Sequence, residues 1–316
     1  MSLLEVYDLQ IAVRDGMAVD GVSFRLERGQ VMALMGESGA GKSLTAAAVI
    51  GLLPPGSGVK NGSILLEGKR IEHLPAPAWR QVRGKRLCAV FQDPSGALDP
   101  LQTIGKQMAQ TLATHHQNLL PATLRERVGD WLEAVGLEAS LAQAYPHELT
   151  DSERQRAALA MAMCPSPDLL IADEPSAGLD MQMRAQLAAL MSRLARAQGT
   201  SVLVISHDVR TALAAADTVA VMYAGRIVEL GPAAEVLRRP RHPYVASLLA
   251  SMPGLPERKG RLPAVSGRMP SPGTAPKGCV FRMSCEYATE QCRTDRPLQP
   301  ETGAACFHPL PVPSDE

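Results

Sequence analysis

Residues 36 to 43 read Gly-Glu-Ser-Gly-Ala-Gly-Lys-Ser and fill every fixed position of the G-x-x-x-x-G-K-[ST] phosphate-loop pattern. This stretch constrains the fold most, because the pattern requires a strand before it and a helix after it. Gly36, Gly39 and Gly41 let backbone N–H groups turn inward toward phosphate oxygens, where a Cβ would block the approach or force strained φ/ψ. Glu37, Ser38 and Ala40 fill the remaining positions of that cradle. Lys42 can reach the β- and γ-phosphates, and the Ser43 hydroxyl can ligate Mg²⁺. The flanks agree. Val31-Met-Ala-Leu-Met35 suits a short buried strand, and the Ala-rich run from Leu44 to Leu53 suits a helix whose N-terminus faces the phosphates. A phosphate-bearing ligand with Mg²⁺ is expected.

Composition narrows the setting. The 316 residues suit one large or two modest domains. Lys+Arg and Asp+Glu both number 32, and aromatics are 3%. That combination gives neither the basic footprint nor the stacking surface of a nucleic-acid binder, so no nucleic-acid partner is expected. No apolar run approaches the roughly 18 residues of a membrane-spanning helix. The start, Met1-Ser-Leu-Leu-Glu-Val6, lacks the basic-then-apolar layout of a secretory leader. A cytosolic or peripheral membrane location follows as the expectation.

Along the chain, Val6, Leu9, Ile11 and Val13 form one strand-like run and Val22, Phe24 and Leu26 another. Ser63–Glu67 is a third strand candidate, closed by the Gly68-Lys69 turn. Residues 93 to 165 change to helical periodicity, as at Val128, Leu132, Val135 and Leu137, and read as a helical insert. Strand candidates resume at 168–172, 201–205 and 218–222, with a helix over 181–198 between the first two. That alternation predicts a parallel sheet with helices on its faces. After about residue 252 the chain turns Pro-rich, at Pro253, Pro256, Pro263, Pro270, Pro272 and Pro276, and leads to four of the six cysteines. The other two, Cys88 and Cys164, lie in apolar surroundings and are expected in the core.

Downstream residues narrow the chemistry. Leu169-Leu-Ile-Ala-Asp173-Glu174-Pro175 is an apolar strand ending in two carboxylates. Asp173 can hold Mg²⁺ through water, and Glu174 can orient or deprotonate an attacking water. Ser176-Ala-Gly-Leu-Asp180 follows, and Ile205-Ser-His207-Asp208 closes the next strand candidate. With these motifs, residues 3 to about 250 resemble the nucleotide-binding subunits of ABC transporters. The resemblance implies that Asp180 is the D-loop aspartate, that His207 contacts the γ-phosphate, and that Gln92, in Val90-Phe-Gln92-Asp-Pro94, is the Q-loop glutamine that touches Mg²⁺ and senses the membrane subunits. It also implies a RecA-like core, an N-terminal antiparallel β subdomain and a helical subdomain over about 93–165.

Two departures from the family pattern stand out. The family signature, Leu-Ser-Gly-Gly-Gln, is matched here by Leu149-Thr150-Asp151-Ser152-Glu153. Family members dimerise head to tail, and each signature closes over the partner's ATP. Thr150 can keep the hydroxyl contact, but Asp151 adds a Cβ and a negative charge where backbone should touch the γ-phosphate. Like charges about 5 Å apart, at an effective dielectric near 20, repel by about 3 kcal/mol before screening. That is enough to slow a phosphate-handling site roughly a hundredfold. The family's adenine-stacking aromatic falls near Val13, where no aromatic lies. Tyr7 is a poor substitute, so apolar packing against the base is expected.

Arg241-His-Pro-Tyr244 and the Pro-rich stretch resemble the peptide/nickel group of bacterial importers, whose ATPases share a cysteine tail. Here it is Cys279-x5-Cys285-x6-Cys292-x13-Cys306. Four thiolates can hold a [4Fe-4S] cluster or zinc. The spacing fits neither a common ferredoxin run nor a zinc ribbon, so the iron–sulfur assignment comes from the resemblance. The resemblance implies an ABC ATPase domain over 1–252 and a tail over 253–316. It implies an ATP-hydrolysing subunit of a peptide importer, peripheral on the cytoplasmic face of the bacterial inner membrane. Its partners would be two membrane permeases, a second ATPase with an intact signature and an extracytoplasmic binding protein. Import of nickel or a metal chelate is the alternative within the class, and a soluble or regulatory ATP-binding protein the alternative outside it.

Overall fold

The computed structural model describes residues 2–115, 120–251, 269–295, 299, 301 and 303–311. Its strands are β1 (Ser2–Val13), β2 (Gly16–Glu27), β3 (Val31–Met35), β4 (Gly58–Leu66), β5 (Lys69–Arg70), β6 (Leu87–Val90), β7 (Leu169–Asp173), β8 (Ser201–Ile205), β9 (Thr218–Tyr223) and β10 (Arg226–Pro232). The chain divides into two compact units. The first comprises Leu26–Val31 and His73–Ile205; the second comprises Ser2–Arg25, Met32–Glu72 and the described residues from Ser206 onward.

In the second unit an antiparallel sheet has the order β2-β1-β4-β5. Val6 and Leu9 are both buried although three residues apart. The ladder between β1 and β4 shifts register between Tyr7 and Gln10, where Asp8 turns to φ 44. The bulge restores the inward face that strict alternation would lose. β4 begins at Gly58, earlier than the periodicity indicates, and Glu67 already belongs to the turn at φ 50. The same unit pairs β3 with β9 in parallel, from Met32 opposite Thr218 to Met35 opposite Val221. β9 then returns antiparallel as β10 through Ala224 and Gly225, at φ 45 and 83. Positive φ at both turn residues matches the twist of a tight hairpin. The sequence does not announce this hairpin, whose turn lacks the usual Asn-Gly cue.

In the first unit β8, β7 and β6 pair in parallel in that order, with Leu87 opposite Leu169 and Leu169 opposite Ser201. The sequence does not announce β6 either, because four residues are too few to show a period. The expected helical insert holds helices at Ile104–His115, Pro121–Ala134 and Asp151–Met163, with short turns between. Val128, Leu132, Val135 and Leu137 are buried, as their spacing indicates. The helix Met181–Gln198 has the predicted span and ends at Gly199, φ 70. Cys88 and Cys164 are buried in this unit, and burial pushes both thiols up to about 12. The architecture is the expected one: α/β, with an antiparallel β part and a helical part.

The described tail residues fold onto the second unit. Val280 and Phe281 join the core around Val221, Tyr223, Tyr244 and Leu248. Leu230 N–H donates to Gly303 O (2.8 Å), and Ala305 N–H donates to Val228 O (2.8 Å). Pro253, Pro256 and Pro263, and with them the expected boundary after residue 252, lie outside the described residues.

Candidate nucleotide site

In the second unit the phosphate loop runs from the end of β3 into the helix Lys42–Val49. Gly36, Gly39 and Gly41 take φ of 140, 85 and 100. A Cβ on Gly36 would stand 2.2 Å from Met222 O, and one on Gly41 would stand 2.9 Å from Ala18 O. Glycine is therefore required twice, once by backbone conformation and once by neighbouring carbonyls. Ala40 is fully buried, and its carbonyl accepts the Gly225 N–H (3.0 Å), which ties the loop to the β9–β10 hairpin.

Lys42 is buried, and its Nζ donates to Gly36 O and Glu37 O, both at 2.8 Å. The ammonium thus rests on the carbonyls of its own loop. Ser38, Gly39 and Ser43 are exposed. Burial raises the Glu37 carboxyl above its ordinary range, against the pull of Lys42. Ser206 N–H donates to Leu34 O (3.2 Å), so the exposed His207 follows directly from a residue tied to β3. Asp208 caps the next helix through the Arg210 N–H (2.9 Å). Tyr7 is occupied by Glu5, to which its hydroxyl donates, and by Arg25, whose guanidinium lies 5.4 Å above its ring. Val13 is half-buried.

The first unit carries the remaining motif residues. β6 leads to Gln92, which is exposed, and β7 ends at Asp173. Glu174 has φ 51, uncommon for a residue with a side chain, and its N–H donates to Ile205 O (3.0 Å). A left-handed non-glycine residue costs on the order of 1 kcal/mol and persists where its surroundings hold it. Asp180 caps the helix Met181–Gln198, accepting from the N–H groups of Gln182 and Met183, both at 2.9 Å.

The altered signature forms a closed set of local bonds. Leu149 is buried, and Thr150 caps the helix Asp151–Met163 in a capping box with Glu153. The Glu153 carboxylate accepts from both the Thr150 N–H and the Thr150 hydroxyl, each at 2.8 Å. The N–H bond first, and the hydroxyl second, hold the Glu153 carboxyl below its usual range. The Thr150 hydroxyl is therefore already used within its own helix. Ser152 lies in the same first turn. Asp151 pairs with Arg154, which also donates to Leu149 O (2.6 Å). The repulsion expected of Asp151 is partly neutralised by this arginine.

Cys279, Cys285, Cys292 and Cys306 all line one small cavity, with His242 and His308 beside them. Burial raises the thiols of Cys279 and Cys285 and pushes Cys306 up to about 11. Among the described residues no group of three or more His, Cys, Asp or Glu is placed to hold a metal ion. The expectation of a metal-bound tail, as iron–sulfur cluster or zinc, is not supported by this arrangement. Among the described residues, too, no helix is long and apolar enough to cross a membrane.

The comparisons with known proteins converge. The ABC transporter family model matches residues 19–177, and the oligopeptide/dipeptide transporter C-terminal region matches 228–292. The chain is 41% identical over 295 residues to the oligopeptide transport ATP-binding protein OppD of Bacillus subtilis, covering 90% of this chain and 82% of that one. It is 37% identical over 319 residues to the dipeptide transport ATP-binding protein DppD of Haemophilus influenzae, covering 98% and 96%. Among solved structures, cbiO1 from Clostridium perfringens, part of the ABC transporter complex cbiONQ, superposes with a TM-score of 0.67 at 28% identity, covering 75% of this chain and 91% of that one.

Proposed function

This chain belongs to the ABC transporter family, and from that premise we propose that it is the ATP-hydrolysing subunit of a peptide importer. The observation that carries the reading is the phosphate loop: glycines at positive φ, a buried lysine on the loop carbonyls, and a helix beginning at Lys42. Peptide as the cargo rests on the two relatives named as oligopeptide and dipeptide transport proteins and on the matched C-terminal region. The subunit sits peripherally on the cytoplasmic face of the membrane, against two permeases, with a second ATPase and an extracytoplasmic binding protein completing the assembly.

The residues divide the chemistry. Amides of residues 36–43 and the Lys42 ammonium bind the phosphates, and Ser43, Gln92 and Asp173 serve Mg²⁺. Glu174 orients and activates the attacking water, His207 contacts the γ-phosphate, and Asp180 acts as the D-loop aspartate. Residues 149–153 close over the partner's nucleotide. The domain division at residue 252 belongs to the same reading. Uptake of labelled di- or oligopeptide by proteoliposomes holding the complete importer, dependent on ATP, is the direct test. Uptake of a nickel chelate but no peptide would move the chain to the metal-importing alternative. ATP binding without turnover in the full assembly would favour a regulatory role.

The four tail cysteines are proposed as ligands of a [4Fe-4S] cluster, which would supply electron exchange or a structural cross-link. Four thiols lining one small cavity are the right type of donor, but as they stand they are not gathered closely enough to hold a metal, so loading would have to draw them together. Burial raises the thiols of Cys279, Cys285 and Cys306, so loading must displace their protons, since only thiolates ligate iron. Anaerobically purified protein should be brown and carry about four irons per chain. Stoichiometric zinc, or no metal at all, would refute the cluster.

A further inference from the structure

Gly36 and Glu37 share a peptide unit that is bonded at both ends. Its carbonyl, Gly36 O, accepts from Lys42 Nζ at 2.8 Å. Its amide, Glu37 N–H, donates to the Tyr244 hydroxyl at 3.2 Å, from a residue 207 positions away. The Met222 carbonyl forbids any side chain at Gly36, so this position must keep the torsional freedom of glycine. Something else has to hold the plane of that peptide. If the plane rotated, Gly36 O would leave the ammonium, and Lys42 would lose one of the two carbonyls that set its position.

Tyr244 is built to hold still. Its side chain is fully buried. Its ring packs on Tyr223, with centroids 4.5 Å apart, and on Phe281, 5.4 Å apart. Its backbone N–H donates to His242 Nδ1 (3.1 Å). The buried Glu229 carboxylate accepts the N–H groups of Arg241 and His242, both at 2.8 Å, and so anchors the segment from β10. Burial raises the phenol pKa further above its ordinary value.

We propose that Tyr244 is a positioning residue for phosphate binding: its hydroxyl fixes the Gly36–Glu37 peptide and thereby the resting place of the Lys42 ammonium. This rests on the ATPase reading above. Tyr244 touches no nucleotide in this scheme; it acts through the loop.

The test uses the full chain and Tyr244→Phe, which keeps the ring and removes only the hydroxyl. Titration with Mg-ATP should show affinity reduced roughly 3- to 10-fold, the range for one hydrogen bond. In the assembled importer KM for ATP should rise by a similar factor with kcat retained. The thermal midpoint without nucleotide should fall by no more than a few degrees, since a single hydrogen bond is lost, so a loss of ATP affinity beyond that small change separates positioning from packing. Affinity within twofold of the wild type would overturn the proposal, and so would a fall in midpoint with KM unchanged. Hydrogen exchange of the Glu37 amide in nucleotide-free wild-type protein gives a readout independent of the variant's folding. Protection is expected, and exchange at the free-amide rate would overturn the clamp. Wild-type protein that fails to bind Mg-ATP would defeat the ATPase reading itself, while the exchange measurement would still decide the clamp.

Discussion

Lys42→Ala is expected to abolish ATP hydrolysis by the assembled importer. The ammonium opposes charge that builds on the transferred phosphoryl group, and removing one such preorganised donor costs roughly a hundred- to a thousandfold in rate. Lys42 also carries a structural duty, since its Nζ bonds the carbonyls of Gly36 and Glu37. Leaving such partners unpaired costs about 1–3 kcal/mol. A thermal midpoint must therefore accompany the rate. Lys42→Met keeps the apolar stem and should be as inactive as Lys42→Ala while unfolding at a higher temperature. Turnover above a tenth of the wild-type rate in either variant would remove Lys42 from the chemistry.

Glu174→Gln is expected to bind ATP, trap the closed dimer and lose most of the transporter's activity, while the same change in the partner ATPase loses little. The asymmetry follows from the signature. This chain keeps Lys42, Asp173, Glu174 and His207, yet its own signature has Asp151 and Glu153 in place of two family positions. The partner's intact signature would close over the ATP on Lys42, giving one competent site. The signature here would close over the partner's ATP and turn it over slowly. The structure adds one reason for a weak signature: the Thr150 hydroxyl is already given to Glu153. The Arg154 pairing limits the electrostatic penalty, so restoring activity should take substitution of both Asp151 and Glu153. The backbone at 174 tolerates the exchange, because glutamine keeps the length of the side chain at φ 51. Equal losses from the two glutamates, or robust hydrolysis by a homodimer of this chain, would defeat the heterodimer.

What could be read from sequence was local. The glycines at 36, 39 and 41 announce their positive φ because only glycine meets a phosphate that closely. Long amphipathic helices announce themselves by period, so Met181–Gln198 and the insert helices fall where predicted. Apolar five-residue runs bounded by polar turns locate β3 and β8. Shorter or interrupted signals fail. β6 has four residues, and β10 depends on a hairpin whose turn, Ala224-Gly225, does not carry the usual Asn-Gly cue. The bulge at Asp8 and the left-handed Glu174 left no sequence mark either, because glutamate and aspartate do not report their φ.

By itself the sequence determined the chemistry the chain brings: a phosphate loop, a carboxylate pair after a strand, a histidine after the next, and a signature changed at Asp151 and Glu153. Each depends on residue type within a few positions of its neighbours, and short-range sterics and charge decide it. Only the tertiary structure decided how those residues are held. The Glu37 amide meets Tyr244 across 207 residues, the Met222 carbonyl crowds Gly36, and the tail's Phe281 packs on Tyr244. Such contacts arise where distant segments are buried together, and burial couples residues by their volume and geometry rather than by their order along the chain.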